Sequence, residues 1–205
     1  AAVDVDKDRV RIVIPTDFEI PADGLHIRWS DPPLVAEARL HGPKMRAVAA
    51  FARANPLDRI VMNSTQPRLG IMTTGKAYLD VRQALADLGI SEAAAGDLGL
   101  RIYKVGLTWP LEREGALRFA AGLKDVIVVE EKRGFIEDQL VKLLYNLDAT
   151  QRPSVVGKTD ETGTLLLPSE GELSPTIVAH AIVARLKRLG VASQGFEQRL
   201  ARLDS

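Results

Sequence analysis

The chain contains no cysteine. That excludes disulfides, thiolate nucleophiles, cysteine zinc sites and cysteine-ligated iron–sulfur clusters within its 205 residues. It is also compatible with a reducing cytoplasm. No apolar run approaches the roughly 20 residues that span a bilayer. The start, Ala1-Ala-Val-Asp-Val-Asp-Lys-Asp8, lacks the basic and apolar regions of a signal peptide and an initiator methionine, which suggests a processed product or an excised piece. Neither sign of charge dominates: 27 basic and 27 acidic residues give a formal net charge of zero. Basic residues are spread through Arg9 to Arg11, Arg101 to Lys104 and Arg185 to Arg188, with no single stripe to bind nucleic acid or an anionic membrane. What remains is 46% apolar, 26% charged and 5% aromatic, ordinary for a soluble globular chain.

Residues 1–56 read as an arm or connector with one strand and two short helices. Arg9 to Ile14 alternates basic and apolar residues, which favours a strand that Pro15 stops. Pro21, Gly24, Pro32, Pro33, Gly42 and Pro43 punctuate the path, and helices are expected over about 34–40 and 44–54. Met45, Val48, Phe51 and Ala52 give the second helix an apolar stripe.

From Leu57 the pattern is regular. Strands are expected at 59–63, 69–73, 100–105, 125–130 and 154–157, and helices at 76–88, 112–123, 136–147 and 174–189. Val126-Ile-Val-Val129 is the strongest buried-strand signal, and Ser174-Pro175 combines a capping hydroxyl with a first-turn proline. This alternation implies an α/β domain over 57–190 with a mostly parallel sheet covered on both faces. Residues 191–205 read as a tail helix whose apolar face needs a partner.

Ligands of open α/β sheets sit beyond the carboxyl ends of the strands. The loop Thr73-Thr74-Gly75-Lys76 brings two hydroxyls, a glycine and a lysine to a helix N-terminus, where a phosphate or carboxylate can bind, although P-loop and dinucleotide glycine spacings are missing. Glu130-Glu131-Lys132-Arg133 follows a buried strand. Its adjacent carboxylates point to opposite sides, which favours a structural or interface ion network over paired acid–base chemistry. Thr73, Thr74, Gly75, Lys76, Glu130, Lys132 and Arg133 are therefore the anion or interface candidates; no catalytic, cofactor-binding or metal residue is assigned. His26, His41 and His180 lack metal-type spacing, and Ser64, Ser154 and Ser174 lack a nucleophile-elbow context. Trp109 reads as a hydrophobic plug at a strand exit, and Asp160 to Gly163 as a tight turn.

The stretch Leu69-Gly-Ile-Met-Thr-Thr-Gly-Lys-Ala-Tyr-Leu-Asp-Val-Arg82 is specific, and it resembles the second domain of indolepyruvate ferredoxin oxidoreductases, particularly the long fused forms. The likeness continues, in order, through Tyr103 to Glu112, Val128 to Arg133, Phe135 to Gln139, Arg152 to Lys158 and Pro168 to Pro175. Upstream, Asp23-Gly-Leu-His-Ile-Arg-Trp29 and Asp31-Pro-Pro33 share it.

The resemblance implies a three-layer α/β/α sandwich like the C-terminal domain of transketolase, with five strands in order 1-3-2-4-5 and the first antiparallel. It implies a parent enzyme that oxidatively decarboxylates an aryl 2-oxoacid with coenzyme A and ferredoxin, using thiamine diphosphate with magnesium and iron–sulfur clusters. A cytoplasmic, homo-oligomeric parent whose other domains contact this one is part of that expectation. No Gly-Asp-Gly…Asn magnesium–diphosphate motif occurs here, so no cofactor residue of the family maps onto this chain. The reading is a non-catalytic assembly domain. A stand-alone anion or nucleotide binder using Thr73 to Lys76 is the alternative, and an enzyme using Glu130 and Glu131 has the weakest support.

Overall fold

The computed structural model describes residues 11–204 and falls into two compact units, up to Leu57 and from Asp58 onward. In the first unit, helices α1 (Pro33–Arg39) and α2 (Met45–Ala54) are joined by a π-helical segment, Leu40–Lys44. Gly42 and Pro43 were expected to separate two helices. Proline lacks the N–H of a regular turn and crowds the carbonyl four residues back; widening the turn accommodates it without a break. Residues 9 and 10 of the expected first strand lie outside the described residues. Residues 11–14 form no strand. There the Asn55 amide does what a neighbouring strand would: its Oδ1 accepts from Val13 N and its Nδ2 donates to Val13 O, both at 2.8 Å.

The second unit holds one five-stranded sheet: β1 (Arg59–Met62), β2 (Leu69–Thr74), β3 (Leu100–Val105), β4 (Asp125–Val129) and β5 (Ser154–Val156). The order is β1-β3-β2-β4-β5, with β1 antiparallel and the rest parallel, as the resemblance implies. β1 carries a register irregularity between Ile60 and Met62, and β5 is three residues long.

Strand alternation sorts the core into two layers. Leu69 and Ile71 of β2, Leu100 and Ile102 of β3, and Ile127 and Val129 of β4 share a buried cluster with α3 (Gly75–Asp87), α4 (Glu92–Leu98), α7 (Pro175–Arg188) and α8 (Gln194–Leu203). Met72, Tyr103, Val105, Val126 and Val128 meet α5 (Arg113–Ala120) and α6 (Phe135–Leu144) on the other face. At Gly70 a Cβ would lie 2.5 Å from Leu123 Cδ1 and 2.7 Å from Phe119 Cζ, so only glycine lets the segment around α5 approach β2 this closely.

Ser174 caps α7 through Ile177 N at 3.3 Å, as its sequence context predicts. The tail helix α8 finds its partner within the same unit, packing Phe196 and Leu200 into the α3–α7 layer. Helix α4 has no counterpart in the expected elements. Ser91 caps it and Gly99, at φ 78°, ends it in the left-handed conformation. Trp109 is 56% exposed, so it plugs nothing. No helix of the described residues is long and apolar enough to cross a membrane.

Candidate functional site

β2 and β4 are neighbours whose following helices lie on opposite faces of the sheet: α3 leads towards β3 and α6 towards β5. This is a topological switch point, where a crevice opens between the two carboxyl ends. The crevice holds about 300 Å3 and is lined by Thr74, Gly75, Lys76 and Ala77 from the first loop, by Thr108, and by Glu130, Glu131, Phe135 and Ile136 from the second.

The two sequence-predicted loops therefore meet. Their charges are largely committed to each other. Lys76 Nζ lies 3.0 Å from Asp80 Oδ2, 3.0 Å from Glu172 Oε1, 3.0 Å from the Leu173 carbonyl and 3.6 Å from Glu131 Oε1. Hydrogen bonding to Asp80 and then Glu172 raises its pKa, so it is a fixed cation. An ammonium enclosed by three carboxylates attracts no further anion, and the same carboxylates oppose the pull of the α3 N-terminus. Gly75 sits at φ +54°, a conformation that side chains rarely adopt. Thr74 Oγ1 donates to the Val105 carbonyl at 2.9 Å, while the Thr73 hydroxyl is buried without a partner.

Glu130 is buried and points back to α6. Its carboxylate accepts from Ile136 N at 2.9 and 3.0 Å and from Glu137 N at 3.0 Å, filling the anion position at that N-terminus with the chain's own charge. Burial pushes this carboxyl up, against the pull of those N–H groups. Its backbone carbonyl accepts from Lys158 Nζ at 2.5 Å, an ammonium that burial shifts down. Lys132, at φ +61°, donates to the Gly171 carbonyl at 2.6 Å. Arg133 is exposed, with no side-chain partner among the described residues.

Three positions that sequence reasoning missed hold the rim. Asp58 Oδ1 accepts from Gly106 N and Leu107 N at 2.7 and 2.8 Å. Gln139 accepts from Leu111 N and donates to the carbonyls of Thr108 and Phe135, tying the β3 loop to α6. Lys158 is the third. A polar residue just before a strand signals Asp58; nothing local signals the bonds of Gln139 to Leu111 and Thr108, or of Lys158 to Glu130, whose partners are distant in sequence. At the opposite end of the sheet, Arg185 donates to Asp125 Oδ2 from Nε at 2.9 Å and Nη2 at 2.5 Å, and to Glu161 Oε2 from Nη1 at 2.8 Å.

Residues 59–205 match the family described as the indolepyruvate oxidoreductase domain. The chain belongs to that family. The match covers nearly all of the second compact unit, including the crevice. The indolepyruvate oxidoreductase domain is 31% identical over 141 residues to the indolepyruvate oxidoreductase subunit IorA of Methanothermobacter marburgensis, and 30% identical over 139 residues to that of Methanothermobacter thermautotrophicus. Each alignment covers 68% of this chain and 20% of the relative, so the chain spans about a fifth of the length of these curated relatives. Among solved structures, a 2-oxoglutarate:ferredoxin oxidoreductase from Magnetococcus marinus, with 2-oxoglutarate, coenzyme A and succinyl-CoA bound, gives a TM-score of 0.48 at 18% identity, covering 82% of this chain and 26% of that one. A split-gene transketolase, an inactive beta4 tetramer, gives 0.43 at 16% identity, covering 63% and 41%.

The donor set of the domain fits neither of the metal-containing groups that the resemblance implies. Iron–sulfur ligation needs thiolates, and there is no cysteine. Among the described residues no three or more His, Cys, Asp or Glu side chains converge as a metal site.

Proposed function

We propose that this chain is a non-catalytic assembly domain of an indolepyruvate, or related aryl 2-oxoacid, ferredoxin oxidoreductase. The parent carries out coenzyme A-dependent oxidative decarboxylation and passes electrons to ferredoxin. Its thiamine diphosphate, magnesium and iron–sulfur clusters sit on other domains, and the parent is a cytoplasmic homo-oligomer. The observation that carries this reading is the family match over 59–205 on a unit in which two switch-point charges are satisfied internally: Lys76 by carboxylates, Glu130 by the N-terminus of α6. Catalytic groups need free, aimed side chains. Here those positions brace loops.

The test is a thermal-shift titration of the purified chain with thiamine diphosphate plus magnesium, coenzyme A and inorganic phosphate. A ligand that binds only the folded state raises the melting temperature. The assembly reading expects no shift with thiamine diphosphate; a saturable shift would place the cofactor here and overturn it. A shift with coenzyme A alone, lost in Arg133→Ala, would assign the exposed guanidinium of the crevice loop to that ligand.

A further inference from the structure

Pro21 to Pro32 has no regular secondary structure, yet its turns are fixed by a closed set of charges. Arg39, near the end of α1, is 9% exposed and pairs with Asp23 and with Asp31, the latter at 3.5 Å. It also donates to the carbonyls of Gly24 and His26 at 3.1 and 3.3 Å. From the loop itself, Arg28 donates to Asp31 and Asp23, both at 2.9 Å. Two arginines and two aspartates thus cancel, and the lock leaves no net charge.

What the lock displays is apolar. Arg28 turns inward, while its neighbours Ile27 and Trp29 are 86% and 100% exposed. A tryptophan held in water on an ordered loop lowers the entropy cost of docking and is the side chain most enriched at the centres of interfaces. The carboxylates of the loop, Asp23 and Asp31, are both paired with arginines.

We propose that the Arg39-locked loop is a preformed docking element, and that Trp29 and Ile27 insert into an apolar socket on another domain of the longer polypeptide. This rests on the assembly reading. The occupant is argued from length and charge. The curated relatives are roughly three to four times as long as this chain, since the 141 and 139 aligned residues make up only 20% of each. An uncharged tip suits an apolar socket with one acceptor for the indole N–H, and disfavours an anionic surface or nucleic acid, which would need free cations.

The experiment uses the full-length polypeptide. Hydroxyl-radical footprinting read by mass spectrometry should show the Trp29 side chain protected on the order of tenfold relative to the urea-unfolded protein. Trp29→Ala, at a fully exposed position of this unit, should leave its fold intact. It should speed proteolytic cleavage within residues 11–57 on the order of tenfold or more, with Trp29→Phe intermediate. Arg39→Met should loosen the loop and reduce the protection of Trp29. Labelling of Trp29 as fast as in the unfolded protein would overturn the proposal; so would protection with cleavage unchanged in Trp29→Ala. Failure of the assembly reading looks different: thiamine diphosphate would stabilise the isolated chain while Trp29 stayed protected.

Discussion

Replacing Arg185 by methionine should be the most damaging single polar substitution in the second unit. The guanidinium is 4% exposed and makes two bonds to one oxygen of Asp125, itself 1% exposed. The other Asp125 oxygen has no hydrogen-bond partner, so the carboxylate depends on this contact. Removing one member of a buried pair costs about 3–5 kcal/mol, because the partner's charge stays buried without compensation. In a folding unit of about 150 residues, each kcal/mol lowers the melting temperature by about 2–4 °C, so a fall of roughly 6–20 °C follows. Arg188 Nε, 3.8 Å from Asp125, can take over part of the role, which favours the lower end. Scanning calorimetry of Arg185→Met, Asp125→Leu and the double variant checks the reasoning. The double variant should be more stable than the two single losses sum to, and the cost of Arg185→Met should shrink at acid pH as the stranded Asp125 takes up a proton. A loss below about 1 kcal/mol, or strict additivity in the double variant, would refute the claim that the pair is coupled.

Gly70→Ala should cost about 1–3 kcal/mol, since its Cβ would meet Leu123 and Phe119 inside contact distance; unchanged chemical denaturation would show that α5 can shift freely. Asp58→Asn keeps the acceptor that holds Gly106 N and Leu107 N. Burial raises the Asp58 carboxyl above its ordinary value, so the fold holds that proton longer than the unfolded chain does. Its stability contribution is therefore present below the ordinary carboxylate range and lost as pH rises through the raised folded value, so the variant should gain on wild type as pH rises from the ordinary carboxylate range. A melting-temperature gap independent of pH would contradict this. Lys76→Met leaves Asp80, Glu131 and Glu172 facing one another. Its melting temperature should drop at neutral pH and recover partly in added salt or below the carboxylate range; no salt dependence would mean the three charges do not interact.

Where the sequence carries periodicity, the fold was legible. Val126 to Val129 reads as a buried strand because parallel strands are covered on both sides, and Ser174-Pro175 announces α7 by its caps. Helix α4 escaped notice because its seven residues are too few for an apolar stripe, although Ser91 and Gly99 marked its ends. The strand expected at Arg9 to Ile14 failed over its described part because alternation does not supply a partner, and Asn55, some 40 residues away, competes for Val13. The crevice was legible as two loops but not as a charge pattern. Lys76 looked free because Glu172 and Leu173, which close around it, are nearly 100 residues distant. Periodicity reports which side of an element is buried; it is blind to which charged groups meet across the fold.

The two margins of the sheet bear on how the domain can join anything else. β1 is interrupted by its register irregularity, and β5 ends after three residues. An outside strand adding at either margin would find at most a few aligned peptide groups, too few to hold it. Growth of the sheet into a neighbour is thereby discouraged. Contact with any neighbouring domain or chain is left to side chains on helices and loops, which can separate and re-form without the backbone of this unit being rewoven.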